Sequence, residues 1–294
     1  MPTSPADPIG DPLAPLRPLG TELTPDLVRG TYAFVTPLAV RLDTDTTEAR
    51  YDIAYGVHPR HRLDVYRPAG AAVETVVVYV HGGGFSSGDK GGEGQTFFGN
   101  VGAWAARCGF AAVAMNYRLA PEAQWPAVSE DIRDAVRHLS GNTAELFGAK
   151  PRIVLIGQSA GAVAVGQYLA GQVGPVDPAV AGAVLMSGIH DFVRHEHGPF
   201  EDAYFGTDPA RFADHSALFA LARLDLPIMF TLSELDSPRF HRQAAFIVEA
   251  WMEAKGHWPA LHYLPGHNHI SPAPLIGSPI DTVGPMIERF VAAL

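Results

Sequence analysis

The chain is 294 residues long, 47% hydrophobic and 18% charged, which suits one large α/β domain or two small ones with ample length for a buried core. Its 21 basic and 31 acidic residues leave a net charge of −10, which disfavours nucleic acid as a partner. No apolar run reaches the roughly 18 residues that would cross a bilayer, so no membrane association is expected.

Met1 to Gly10 lacks the basic and then apolar pattern of a secretory signal. The one cysteine, Cys108, has no partner for an internal disulfide and fits a reducing, cytoplasmic setting. Its place near a helix end suggests a buried, inert thiol.

In chain order, prolines 2, 5, 8, 12, 15 and 18 block regular hydrogen bonding, so residues 1–20 are expected to form an extended, partly disordered arm. Thr24-Pro25 opens a short helix through Ala33. Tyr51 to Tyr55 and Leu63 to Tyr66 alternate in polarity as antiparallel edge strands, whereas Val76 to Val80 is the unbroken β-branched run of a strand buried on both faces. That run ends in His81-Gly82-Gly83-Gly84-Phe85, followed by the glycine-rich stretch Gly88 to Gly94. Phe97 to Arg107 reads as a helix and Ala111 to Met115 as a second buried strand leading into Asn116-Tyr117-Arg118-Leu119-Ala120-Pro121-Glu122.

Trp125-Pro126 starts a helix whose Val128, Ile132, Ala135, Val136 and Leu139 form one buried stripe, with Asp131 and Asp134 expected on its solvated face. Arg152 to Gly161 is an apolar strand running into Gly157-Gln158-Ser159-Ala160-Gly161 and then a small-residue helix. In that setting the pentapeptide reads as a nucleophile elbow, a tight turn that lifts a serine hydroxyl above the sheet. Gly182 to Met186 is a further strand. Phe192 to Leu224 breaks the periodicity and is rich in aromatics, which suggests a lid insertion. Strand character returns over Leu226 to Leu232, an amphipathic helix carries Phe240 to Trp251, Leu261 to Leu264 is the last strand, and Val283 to Leu294 closes the chain as a helix. Alternating strands and helices at this spacing predict a mostly parallel sheet with helices on both faces.

A nucleophilic serine needs a base within reach and an acid to orient that base. In open α/β sheets such groups sit on loops at the carboxyl ends of strands. Two loops qualify, Ser233-Glu234-Leu235-Asp236-Ser237-Pro238 and Pro265-Gly266-His267-Asn268-His269-Ile270-Ser271. The consecutive glycines after His81 can turn backbone N–H groups toward one point, as a developing oxyanion requires. A zinc site on His267 and His269 lacks a second ligand pair at suitable spacing, and neither metal nor cofactor is expected. His190, His195 and His197 are read as part of a solvated polar loop of the lid, where they are candidates to touch substrate, and Asp191 is expected to bond loop backbone.

Taken together, His81 to Phe85, Tyr117 to Glu122, the Ser159 elbow, a late acid and a later histidine resemble the α/β-hydrolase fold, in the branch similar to hormone-sensitive-lipase-like carboxylesterases. The likeness covers the chain from about Tyr51 onward, giving one domain over 21–294 with its lid near 192–224. It implies Ser159 as nucleophile, Asp236 as orienting acid, His269 as general base, and the N–H groups of Gly83, Gly84 and Ala160 as the oxyanion hole. Asp236 is preferred to Glu234 because Ser-Pro follows it, and His269 to His267 because apolar Ile270 follows. Gln158 and Asn116 stand where that branch commonly has Asp, and Gln158 also resembles the elbow of kynurenine-formamidase-like members. The implied function is hydrolysis of short or medium acyl or aryl esters, on a small-molecule substrate and with room for a homodimer. The alternatives are an aryl-formamidase or amidase using the same triad, and a non-catalytic ligand-binding homologue.

Overall fold

The computed structural model describes residues 10–294. Eight strands form one sheet: β1 (Thr47–Ala54), β2 (Arg62–Pro68), β3 (Thr75–Val80), β4 (Ala111–Met115), β5 (Arg152–Gln158), β6 (Val180–Met186), β7 (Ile228–Leu235) and β8 (Ala260–Asn268). Their order is β1-β2-β4-β3-β5-β6-β7-β8. Strand β2 is antiparallel to both neighbours, and every pairing from β4 to β8 is parallel. Side chains explain that division. All of β3 and β4 is buried, as strands covered on both faces must be, while β1 alternates toward solvent as an edge does.

Helices cover both faces. On one side Val128 and Ile132 of helix Ala127–Gly141, Val163 of helix Ala160–Leu169 and Ile247 of helix Pro238–Lys255 pack on Val76, Val78 and Leu155. On the other, Val101 and Trp104 of helix Gly99–Arg107 and Ile287 and Val291 of helix Gly284–Ala292 pack on Val77, Ile156 and Val184. Because the parallel strands share a direction, the loops after β3, β5, β7 and β8 leave from one edge of the sheet. No helix is long and apolar enough to cross a membrane among the described residues.

Three expectations need correction. The arm expected over residues 1–20 divides: Met1 to Ile9 lie outside the described residues, and Ala14–Leu19 form a 3-10 helix rather than an extended segment. Proline at an early helical position needs no N–H partner, and a repeat of three residues puts Leu13 and Leu16 on one face. Both leucines are buried with Val35 and Leu275. The last strand reaches Asn268, well beyond Leu264, so His267 is a strand residue. Asp131 is fully buried: its carboxylate takes the Arg118 N–H at 2.7 Å, the Arg118 guanidinium and, at 3.1 Å, His61 Nε2. It lies three residues from Val128 on the apolar stripe, and these three partners stand in for water.

Leu16→Ala should cost about 2–5 kcal/mol of stability, the usual range for truncating a fully buried leucine. Urea unfolding reads this directly, and an unshifted midpoint would show that the segment contributes no packing.

Candidate active site

Ser159 stands between β5 and helix Ala160–Leu169 with φ 53° and ψ −120°, a left-handed backbone that a residue with a side chain rarely adopts. The turn is forced by a close approach of strand and helix. A Cβ on Gly157 would lie 2.5 Å from the Gly161 carbonyl oxygen, and one on Gly161 would lie 2.2 Å from that of Val80. Glycine is therefore required on both sides of the serine.

His269 follows β8 and Asp236 follows β7, and both reach the elbow. His269 Nε2 lies 2.8 Å from Ser159 Oγ, and its Nδ1 lies 2.5 Å from Asp236 Oδ1. The second carboxylate oxygen accepts the Ser187 hydroxyl at 2.6 Å and the Ser233 N–H at 2.8 Å. Asp236 is buried with every contact to a donor, which keeps a carboxylate comfortable away from water. The Phe240 ring lies 4.3 Å from that of His269, centre to centre.

The competing residues sit elsewhere. Glu234 pairs with Arg17 at 2.7 Å and accepts the Gly266 N–H at 2.6 Å, contacts that hold its carboxyl below the usual range. His267 bonds Ser271 at 2.9 Å and Thr282 at 2.8 Å, and burial pushes its pKa down to about 4. With His267 and His269 on separate partners, the two imidazoles share no ligand position.

Gly83, Gly84 and Ala160 line the same cavity as Ser159 and His269. Among the described residues no hydrogen bond occupies their three N–H groups, so these remain available to a bound oxygen. The loop is held from behind. The Tyr117 hydroxyl donates to the His81 and Gly82 carbonyls at 2.9 and 3.2 Å, and the Tyr117 ring stacks on His81. Burial pushes His81 down to about 4, keeping it neutral.

Several supporting residues went unassigned in the sequence. Gln158 donates to the His269 and Ile270 carbonyls at 2.8 and 3.3 Å and accepts the Tyr79 hydroxyl at 2.9 Å, so it ties the histidine loop to the elbow. Asn268 bonds Thr31 at 2.7 Å and caps the N–H groups of Ile270 and Ser271. Asn116 accepts the Lys90 N–H at 2.7 Å and donates to Asp89 at 2.8 Å, fixing the glycine-rich stretch, while Lys90 Nζ is buried against Asp64 at 2.6 Å. Ser187 could be seen only as the end of a strand.

The cavity, about 750 Å³, is walled by Tyr32, Phe97, Phe98, Ile189 and Phe240 from the core and by Phe192, Phe200 and Glu201 from the 192–224 segment. That segment contains helices Pro199–Phe205, Phe212–His215 and Leu218–Arg223 and packs over the loop through Tyr204, whose ring stacks on Phe85 at 4.1 Å. Asp191 accepts the N–H groups of Val193 and Arg194, each at 3.0 Å. Cys108 lies apart from the site, and burial raises its thiol to about 11.

Burial lowers His81, His190, His215 and His267 each to about 4. An unfolded histidine takes a proton near pH 6.5, so between about pH 6.5 and 4 the unfolded chain binds more protons than the folded one. This contribution to stability is intact above that window and is lost as pH falls through it. The urea midpoint should therefore drop between pH 7 and 4.5, and His267→Gln should make the drop shallower. The same steepness in the variant would remove His267 from the account.

A family model described as BD-FAE matches residues 63–171. Kynurenine formamidase of Danio rerio is 26% identical over 210 residues, 67% of this chain and 67% of that protein. Carboxylesterase NlhH of Mycobacterium tuberculosis is 42% identical over 86 residues, 29% of this chain and 26% of that one. Chlorogenic acid esterase of Aspergillus niger is 37% identical over 132 residues, covering 41% and 24%. The likeness to these two esterases thus spans about a quarter of each. Among solved structures, an inhibited esterase B from Lactobacillus rhamnosis superposes with a TM-score of 0.69 at 22% identity, over 90% of this chain and 89% of that one. An esterase of the bacterial hormone-sensitive lipase family gives 0.68 at 20% identity, over 100% and 98%. The chain has the α/β-hydrolase fold, as these esterases do, and over part of its length it is similar in sequence to carboxylesterases.

Proposed function

We propose that the chain is a serine carboxylic ester hydrolase in which Ser159 is the nucleophile, His269 the general base and Asp236 the residue that orients the imidazole and stabilises its protonated form. The observation that carries the reading is the continuous run of contacts from Asp236 through His269 to the Ser159 hydroxyl, beside three N–H groups with no partner of their own. His269 Nε2 takes the serine proton as Oγ attacks the ester carbonyl. The N–H groups of Gly83, Gly84 and Ala160 receive the oxyanion, and the elbow helix adds the positive end of its dipole. The imidazolium returns its proton to the departing alcohol, and water activated by the same imidazole releases the acid from Ser159.

The aromatic lining supports small acyl or aryl esters as the substrate class, with residues 192–224 as the lid of a single domain over 21–294. One half-buried thiol with no disulfide supports a cytoplasmic setting. Hydrolysis of aryl formamides by the same residues is a second reading, favoured by the length of the likeness to kynurenine formamidase. A p-nitrophenyl ester and a formanilide of similar size, compared by kcat/KM, separate the two.

Ser159→Ala should lower kcat at least about a thousandfold and abolish labelling by a fluorophosphonate, with the unfolding midpoint unchanged. A variant that keeps a near wild-type rate would reject the serine as nucleophile.

A further inference from the structure

The cavity wall is mostly apolar, yet Arg239 is placed in it. It is the single lysine or arginine among the described lining residues. It stands three residues after Asp236, in the first turn of helix Pro238–Lys255. The guanidinium carbon is 5.0 Å from the centre of the Phe240 ring, and that ring packs on His269. The cation is therefore one aromatic ring away from the base.

Its partner does not use it up. Arg239 gives one N–H to Glu201 Oε1 at 3.1 Å, and among the described residues no other hydrogen bond engages the guanidinium. Glu201 is committed on both oxygens. Oε1 takes Arg239 and has His195 Nε2 at 3.5 Å, and Oε2 accepts the Gly198 N–H at 3.1 Å. The Glu201 side chain is 8% exposed against 26% for Arg239, so the acid is the more deeply buried of the pair although both line the cavity. Among the described residues the guanidinium keeps donors unfilled, and although Glu201 and Asp89 also line the cavity, a planar fork of N–H groups matches a carboxylate, which it can hold by two parallel hydrogen bonds.

We propose that Arg239 is a specificity-determining residue that receives a carboxylate at the end of the substrate remote from the scissile ester, with Glu201 moderating its charge. The inference rests on the ester-hydrolase reading. The Glu201–Arg239 pair could equally be a latch between the lid and the helix, and the two roles differ in sign. As a latch, loss of either residue has the same effect. As a carboxylate site, loss of Arg239 weakens selection for the anionic substrate and loss of Glu201 strengthens it.

The test compares kcat/KM for matched esters. Mono-p-nitrophenyl esters of succinate, glutarate and adipate are set against neutral esters that end in isopropyl, and p-carboxyphenyl butyrate against p-tolyl butyrate. The pair with the largest charged-to-neutral ratio is then measured in the variants. In Arg239→Gln that ratio should fall about tenfold, chiefly through KM, consistent with one charged hydrogen-bonded contact. Arg239→Lys should restore part of it, and Glu201→Gln should raise it. A fall of less than threefold in Arg239→Gln, or Glu201→Gln and Arg239→Gln moving the ratio in the same direction, overturns the proposal. If none of these esters is hydrolysed, it is the catalytic reading that fails. Calorimetric binding of 4-phenylbutyrate to Ser159→Ala then decides the matter separately. Weaker binding on adding Arg239→Gln supports the site, and equal binding overturns it.

Discussion

The site depends on a steric constraint, the approach of the elbow helix to the end of β3. At Gly161 there is no room for even a methyl group beside the Val80 carbonyl. That contact places the start of helix Ala160–Leu169 directly against the glycine loop that leaves β3. The N–H of Ala160 and those of Gly83 and Gly84 then line one cavity although they are far apart in sequence. The strained Ser159 backbone is the local cost of this closeness. It persists because the Ser159 N–H is held by the Met186 carbonyl at 2.8 Å and because strands on both sides of β5 fix its end.

Given the elbow, the remaining problem is electrostatic. An imidazole beside a hydroxyl gains little basicity unless a charge stands behind it, and a carboxylate that deep must be satisfied. Asp236 meets both demands through Ser187 on the neighbouring β6 and the Ser233 backbone on its own β7. Gln158 solves a related problem from the other side. Its amide holds the carbonyls of His269 and Ile270, so the histidine loop cannot swing away without breaking bonds to β5 and, through Tyr79, to β3. A charged Asp at that position would have no N–H to offer those carbonyls. The departure from the commoner residue is thus consistent with the same loop position reached by a neutral donor.

What could be read from the sequence was whatever depends on neighbours in the chain. The β-branched run of β3, the strand, glycine and serine order at the elbow, and the two acid- and histidine-bearing loops are local patterns, and they put Ser159, Asp236 and His269 in contact range once the strand order is known. The preference for Asp236 over Glu234 rested on the Ser-Pro that follows Asp236, and the structure adds a reason from far along the chain. Glu234 is engaged by Arg17 and the Gly266 N–H, and Arg17 belongs to a segment that proline content alone marked as unstructured. Asp131 looked solvated because its helix was read alone, and it is buried because Arg118 folds back from the preceding loop. Ser187, Asn268 and Arg239 carried no signal, since each has a partner dozens of positions away.

The 192–224 segment follows a different logic from the sheet beneath it. Both ring nitrogens of His190 and of His215 are buried with no hydrogen-bond partner among the described residues. Each such group forgoes about 1–3 kcal/mol relative to water. The segment is held by aromatic packing, Phe192 against Phe205 at 4.4 Å, His197 on Phe212 at 3.7 Å and Tyr204 on Phe85, and by hydrogen bonds to the core, among them Gln167 to the His215 carbonyl at 2.8 Å and the Val128 N–H to the Tyr204 hydroxyl at 2.9 Å. At the strand ends beneath it, Ser159, His269 and Asp236 hold their spacing through direct hydrogen bonds. The covering layer supplies Phe192, Phe200 and Glu201 to the cavity.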